Sequence, residues 1–187
     1  MKRALQFLGR CIFEKRRYLF YGYQPAQGAG MVDPDVQVYS EWKAVPPHFR
    51  KIAAASPWRN AMYYRMRRGQ ARLLCCSKDG VRLAAYGWIQ DWAPFRRRFG
   101  AIAQDGAMLG FYWTAPEVRG QGLYGRLLAH SLAVCSKDRP IVICVSPDNP
   151  ASRRGIEKAG FAPLGEWEGT TWFRCCGRLR RISDGLR

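Results

Sequence analysis

Apolar and polar positions along the chain alternate with two different periods, and the change of period marks the elements. Near the start, Leu5, Leu8 and Ile12 recur at helical spacing among Lys2, Arg3, Arg10, Lys15, Arg16 and Arg17, which predicts a basic amphipathic helix within residues 1–23. Gln24 to Met31, small and glycine-bearing after Pro25, reads as a linker. Val36 and Val38 alternate with Asp35, Gln37 and Ser40, a first strand near 35–43. Pro46-Pro47 opens a helix to about Ala54, and Pro57 opens another through Arg68. A hairpin follows, with strands at Arg72–Ser77 and Val81–Asp91 around the turn Lys78-Asp79-Gly80. Ala93 to Gly100, with Arg96, Arg97 and Arg98, reads as a loop.

The second half is more regular. Ala107–Thr114 is an apolar strand, Val118–Gly122 a glycine loop, and Leu123, Leu127, His130 and Val134 form one stripe of a helix. Ile141–Val145 is a continuous apolar run, suited to a central parallel strand buried on both faces. Asn149 is an N-cap followed by Pro150 at the first helical position, and that helix stops at Gly160. Strands are expected at Phe161–Pro163 and Thr170–Cys176, with a polar, frayed tail from Gly177 to Arg187. The strand–helix–strand portion requires a right-handed crossover, with the glycine loop at the carboxyl end of a strand, where α/β proteins bind anions.

Charge adds a constraint. Thirty-one Lys and Arg face fourteen Asp and Glu among 187 residues. Such a surface attracts phosphates, acidic headgroups or nucleic acid, or is simply the solvated exterior of a basic enzyme. The basic residues are spread along the chain without a known reader motif, which argues against nucleic acid. The seven cysteines include no C-x-x-C pair and are expected as reduced, mostly buried thiols of a cytosolic protein, with no metal. The N-terminal amphipathic segment has two readings: a helix packed on its own domain, or one lying on an anionic membrane. The expected division is a basic amphipathic extension and linker over 1–33 and one α/β domain over 34–187.

The loop Arg119-Gly120-Gln121-Gly122-Leu123-Tyr124-Gly125 carries the chemistry. Its glycines let backbone approach a ligand and adopt positive φ, and first-turn N–H groups have no helical acceptor. The helix dipole and the charges of Arg119 and Arg126 complete a pyrophosphate cradle. It lacks the Gly-Lys-Ser/Thr of a Walker loop and the glycine spacing of a dinucleotide fingerprint.

Arg119 to Tyr124 resembles the R/Q-x-x-G-x-G/A acyl-CoA loop of the GNAT superfamily of N-acyltransferases. Asn149 to Phe161 is similar to that superfamily's next helix, which begins N-x-x-A/S and closes K-x-G-F, here Lys158-Ala159-Gly160-Phe161. The resemblance implies an α/β fold, a mixed sheet splayed between its fourth and fifth strands, Ala107–Thr114 and Ile141–Val145. It implies acetyl-CoA or another acyl-CoA as co-substrate, with the pantetheine arm along the backbone of Tyr112, Trp113 and Thr114. Val118, Arg119, Gly120, Gln121, Gly122, Leu123 and Tyr124 would hold the pyrophosphate, and Asn149 and Ser152 would touch the cofactor elsewhere. An amine, in our reading an amino sugar of a surface-polysaccharide pathway, would attack the thioester directly.

Two positions depart from the pattern. Tyr124 stands where the motif has Gly or Ala, and Ile156 where many relatives carry the tyrosine that protonates the leaving thiolate. A base is also needed. Asp91 and Asp105 are the nearest candidates to the fourth strand, with Glu166 and Glu168 as others. His130, on the buried stripe, reads as a core residue and His48 as a surface one.

Overall fold

The computed structural model describes residues 13–23, 31–77, 79–135, 139–172 and 176–183. Its strands are β1 (Phe13–Tyr23), β2 (Val36–Tyr39), β3 (Ala71–Cys76), β4 (Ala85–Asp91), β5 (Ala107–Thr114), β6 (Ile141–Val145), β7 (Ala162–Trp172) and β8 (Cys176–Ser183). Its helices are α1 (Pro47–Ala53), α2 (Arg59–Arg67), the single turn α3 (Arg96–Phe99), α4 (Leu123–Val134) and α5 (Pro150–Lys158). One mixed sheet runs in the order β2-β3-β4-β5-β6-β1-β7-β8. Among the described pairs only β5 and β6 are parallel, as the crossover through α4 demands.

Alternation along the strands sends side chains to two layers. Leu74, Cys76, Ile89, Leu109, Ile141 and Ile143 meet Leu123, Leu127 and Leu128 of α4 and Ile156 of α5. Leu73, Cys75, Tyr86 and Trp88 meet Phe49 of α1 and Met62 and Met66 of α2. A third cluster sets Phe20, Trp92, Met108, Val142 and Trp167 against Phe99 of α3.

The N-terminal expectation is corrected here. Residues 13–23 are not helical: β1 is an interior strand, antiparallel to β6 and to β7. Leu19, Phe20 and Tyr21 are almost wholly buried, so this piece belongs to the same sheet as residues 34–183 rather than to an extension. Its aromatic run Tyr18–Tyr23 has the β preference that the basic spacing concealed. The charges are absorbed across the ladder, Lys15 by Glu168 at 3.6 Å and Arg17 by Glu166 at 3.7 Å. The stripe Leu5, Leu8 and Ile12 and most of the Gln24–Met31 linker lie outside the described residues.

Other boundaries move for local reasons. Val81–Ala84 is not strand, because the Asp79 carboxylate captures the N–H groups of Val81 (2.9 Å) and Arg82 (2.8 Å) that a ladder would use. Ala93–Phe99 is not open loop but a 3-10 turn running into α3, tied down by buried Phe99. The expected break between Pro163 and Thr170 is absent, and the expected frayed tail is β8, paired with β7 from Trp172↔Cys176 onward.

Candidate active site

The cleft begins where a strand pair ends. β5 and β6 are paired only at Ala107↔Ile141, Met108↔Val142 and Leu109↔Ile143. Beyond Leu109 they part. At that point β5 is bulged: its register with β4 shifts between Tyr86 and Trp88, and Phe111 takes a positive φ of 53°. The resulting cleft, about 980 Å³, is bounded by Tyr112, Trp113 and Thr114, by the Val118–Gly125 loop, and by Ser152, Gly155 and Lys158 of α5.

The strand wall is held from behind. The Tyr112 ring lies over Gly87, where an added Cβ would come within 2.2 Å of it. Ser131 Oγ donates to the Leu127 carbonyl at 2.7 Å, so the Tyr112 hydroxyl, 2.9 Å away, donates to Ser131. Burial raises the Tyr112 pKa, with the Ser131 hydrogen bond opposing. Trp113 stacks on Tyr86 at 5.5 Å across the other face.

The loop wall offers backbone. Gly120 and Gly122 have φ of 79° and 76°, and a Cβ on either would meet nothing within 4 Å. Gly122 is the left-handed N-cap of α4, and Arg126 N–H donates to its carbonyl at 3.1 Å. The N–H groups preceding Arg126 are therefore free of helical acceptors. Arg119 is exposed and its Nε folds back to the Thr114 carbonyl at 3.3 Å. Arg126, expected at the cradle, is turned away: Asp33 takes its Nε at 2.5 Å and Asp35 its other nitrogen at 2.7 Å. The same Asp33 presents its N–H to His130 Nδ1 at 3.0 Å. His130 is buried as expected, and burial holds its imidazole pKa below the usual value while Asp33 pulls the other way.

The helix wall is set by α5. Asn149 caps it by accepting from the Ser152 N–H at 3.0 Å. Ser152 lines the cleft, and its side chain opposes the effect of burial on the Tyr124 hydroxyl. Tyr124 does not crowd the loop, because its ring lies on Gly155, where a Cβ would sit 2.7 Å away, and meets the Tyr112 ring edge-on at 5.3 Å. Burial pushes its pKa up to about 12, so it stays protonated. Ile156 is completely buried in the core.

Of the residues singled out from sequence, Tyr112, Trp113, Thr114, Val118, Arg119, Gly120, Gly122, Leu123, Tyr124 and Ser152 come together around this cleft. Gln121 is exposed on the loop and Asn149 stands behind Ser152 as a cap. Asp91 and Asp105 are not brought there. Asp91 pairs with Ala107, at the far end of β5, roughly 23 Å from Thr114 at ~3.3 Å per residue. Arg139 holds both, Asp105 through Nε at 3.0 Å and Asp91 at 3.9 Å. Glu166 and Glu168 face Arg17 and Lys15. His48 is exposed beside Phe49. No carboxylate among the described residues lines the cleft. Burial drives Cys75 up to about 12 and Cys135 and Cys144 up to about 11, so none of the three is a thiolate at neutral pH. Tyr23, Gly155 and Lys158 line the cleft without having been named as cofactor-binding residues, Tyr23 because its strand was read as helix.

The GNAT acetyltransferase family model matches residues 36–161, which contain the bulged strand, the glycine loop and α5. The chain belongs to the GNAT family of acetyltransferases. Solved structures agree on the fold. A GNAT-family acetyltransferase structure from Novosphingobium aromaticivorans matches with a TM-score of 0.58 at 19% identity, over 91% of this chain and 66% of that one. One from Colwellia psychrerythraea matches with a TM-score of 0.55 at 21% identity, over 90% and 60%. An N-acetyltransferase from Sphaerobacter thermophilus matches with a TM-score of 0.57 at 12% identity, over 100% and 59%. The chain thus spans roughly three-fifths to two-thirds of the length of these relatives. No curated protein matches it by sequence.

Proposed function

We propose that the protein moves an acyl group, acetyl first of all, from acyl-CoA to an amine by direct attack on the thioester, the acceptor being an amino sugar of a surface-polysaccharide pathway. The observation that carries this reading is the parting of β5 and β6 beyond Leu109 directly beside the left-handed Gly122 cap. An extended arm can lie along the side of Tyr112–Thr114 that β6 does not cover, while a pyrophosphate meets the free N–H groups of the loop with Arg119 and Lys158 nearby. Open space around Gly120 and Gly122 fits such a group.

The proton steps follow from what the cleft contains. Tyr124 is a protonated hydroxyl inside it, and we assign to it the donation to the departing thiolate that Ile156 cannot make. The attacking amine loses its proton to solvent. Asp91 and Asp105 do not enter, since Arg139 holds them at the other end of β5. High thiol pKa values support transfer without an acyl-cysteine.

Titration calorimetry with acetyl-CoA, followed by a thiol-release assay against amino sugars, polyamines and peptides, tests this. Binding and turnover with an amino sugar are expected; no heat at millimolar CoA would remove the reading. A second reading, an acyl-CoA-binding module without turnover, draws on the buried Ile156 and the carboxylate-free cleft. Binding without thiol release for any acceptor would select it.

A further inference from the structure

From Trp42 to Ser77 the chain carries eight Lys or Arg and no Asp or Glu. The flanking carboxylates are Glu41, one residue before, and Asp79, two residues after, so the segment that builds α1 and α2 carries only positive charge within an already basic protein. The structure shows how α2 presents it. Met62 and Met66 face inward and are buried. The outward face consists of two i, i+4 rows, Arg59-Tyr63-Arg67 and Asn60-Tyr64-Arg68, all exposed. Tyr64 is 56% exposed, and Tyr63 and the preceding Trp58 are each 43% exposed, although large aromatic rings ordinarily turn inward. Arg68 lies over the Tyr64 ring at 4.6 Å. Lys43 and Lys51 add exposed charge beside them.

We propose that this α1–α2 face docks on an anionic phospholipid bilayer. Tyr and Trp side chains seat at headgroup depth, apolar body inward and polar tip in water. Arginines around them meet lipid phosphates while their stems cover apolar surface. Trp58 and the row Arg59-Tyr63-Arg67 stand out from the helix, which suits a flat surface better than a nucleic-acid strand threaded through a channel, while Tyr64 and Arg68 border a depression with Ala93 and Pro94 beside it. None of the described helices is long and apolar enough to cross a membrane, so the contact is peripheral. Trp58 rests on Phe111 at 5.3 Å, so the docked face adjoins the bulge of β5.

The test is flotation of the full chain with vesicles of phosphatidylcholine alone or mixed with phosphatidylglycerol. Arg59→Gln with Arg67→Gln removes two charges from the face. Arg178→Gln with Arg180→Gln removes two from β8, at the opposite edge of the sheet from β2. At about 1 kcal/mol for each basic residue near the surface, the α2 pair should weaken binding to the anionic vesicles by about thirtyfold. The β8 pair should change it by less than roughly threefold by the same reasoning. Tyr64→Ser should weaken binding severalfold with no loss of charge, and thermal melts of every variant verify that each is folded. The proposal is overturned if the wild type floats with neither vesicle, or if the two Arg pairs act alike. It is equally overturned if Tyr64→Ser changes nothing, or if the α2 pair abolishes binding to duplex DNA while flotation is unaltered.

Discussion

The two ends of β5 show opposite uses of the same strand. At Ala107–Leu109 it is paired on both sides, to β4 and to β6, and the edge is sealed by Arg139 between Asp91 and Asp105. At Gly110–Thr114 it keeps β4, loses β6, turns through a positive φ and borders a cleft. The closed end spends its carboxylates on an arginine. Among the described residues no carboxylate lines the cleft at the open end, which offers backbone groups, glycines and tyrosine hydroxyls instead. For the polyanion proposed to bind there, carboxylates in the cleft would be repulsive.

The largest expected effect tests the open end directly. Gly122→Val puts a β-branched side chain at a left-handed cap facing open space. The conformation costs about 1–2 kcal/mol of stability, since a Cβ there crowds the following carbonyl. The side chain also fills the room a phosphate oxygen needs. Losing two hydrogen bonds to a charged group, each worth about 1.5–3 kcal/mol, predicts acetyl-CoA binding weaker by roughly a hundredfold or more. Calorimetry on the folded variant reads this out. Unchanged affinity would mean that the cradle is not the ligand's seat and that the two ends of β5 differ only in shape.

How much of this contrast was legible in sequence depends on the range of the interactions. The cap Asn149-Pro150, the stop at Gly160 and the glycines of the loop act within a few residues, and α5, β6 and the loop appear where the pattern predicts. β1 did not, because its charges are satisfied by Glu166 and Glu168 some 150 residues away, and spacing alone cannot distinguish a basic helix from a strand whose cations find distant partners. β8 was hidden for the same reason: its polar residues pair with β7 through backbone, which carries no sequence signal. At the site, backbone donors were readable from glycine positions. The side-chain roles of Asp91, Asp105 and Arg126 were not, since each is decided by a partner on another element.

A second test sharpens the role of Tyr124 at the open end. Gly155 exists at its position because a Cβ would stand 2.7 Å from the Tyr124 ring. Gly155→Ala should therefore destabilise by about 1–2 kcal/mol through overpacking. In a Tyr124→Ala background the same change should stabilise by up to about 1 kcal/mol, the ordinary helix preference of Ala over Gly. Denaturant melts of the four proteins give the coupling. If Gly155→Ala has the same sign in both backgrounds, the ring does not occupy this position, and its reach into the cleft is lost with it.

The smallest effect lies at Phe111, on the boundary between the two ends. Its φ of 53° is the single positive value at a non-glycine residue among those described. Phe111→Ala and Phe111→Gly both remove the ring from Trp58, 5.3 Å away, so their difference isolates the backbone. Relief of the left-handed conformation favours Gly by about 1–2 kcal/mol. Part of that is offset by the greater freedom of Gly in the unfolded chain, about 0.5–1 kcal/mol. The Gly variant should thus be the more stable by a few tenths to about 1 kcal/mol, measured as the shift in denaturant midpoint at constant slope. Were Ala the more stable, the bulge would hold no strain. The parting of β5 from β6 would then be set by the pairing with β4, where Gly87 makes way for Tyr112, rather than by the turn at Phe111 itself.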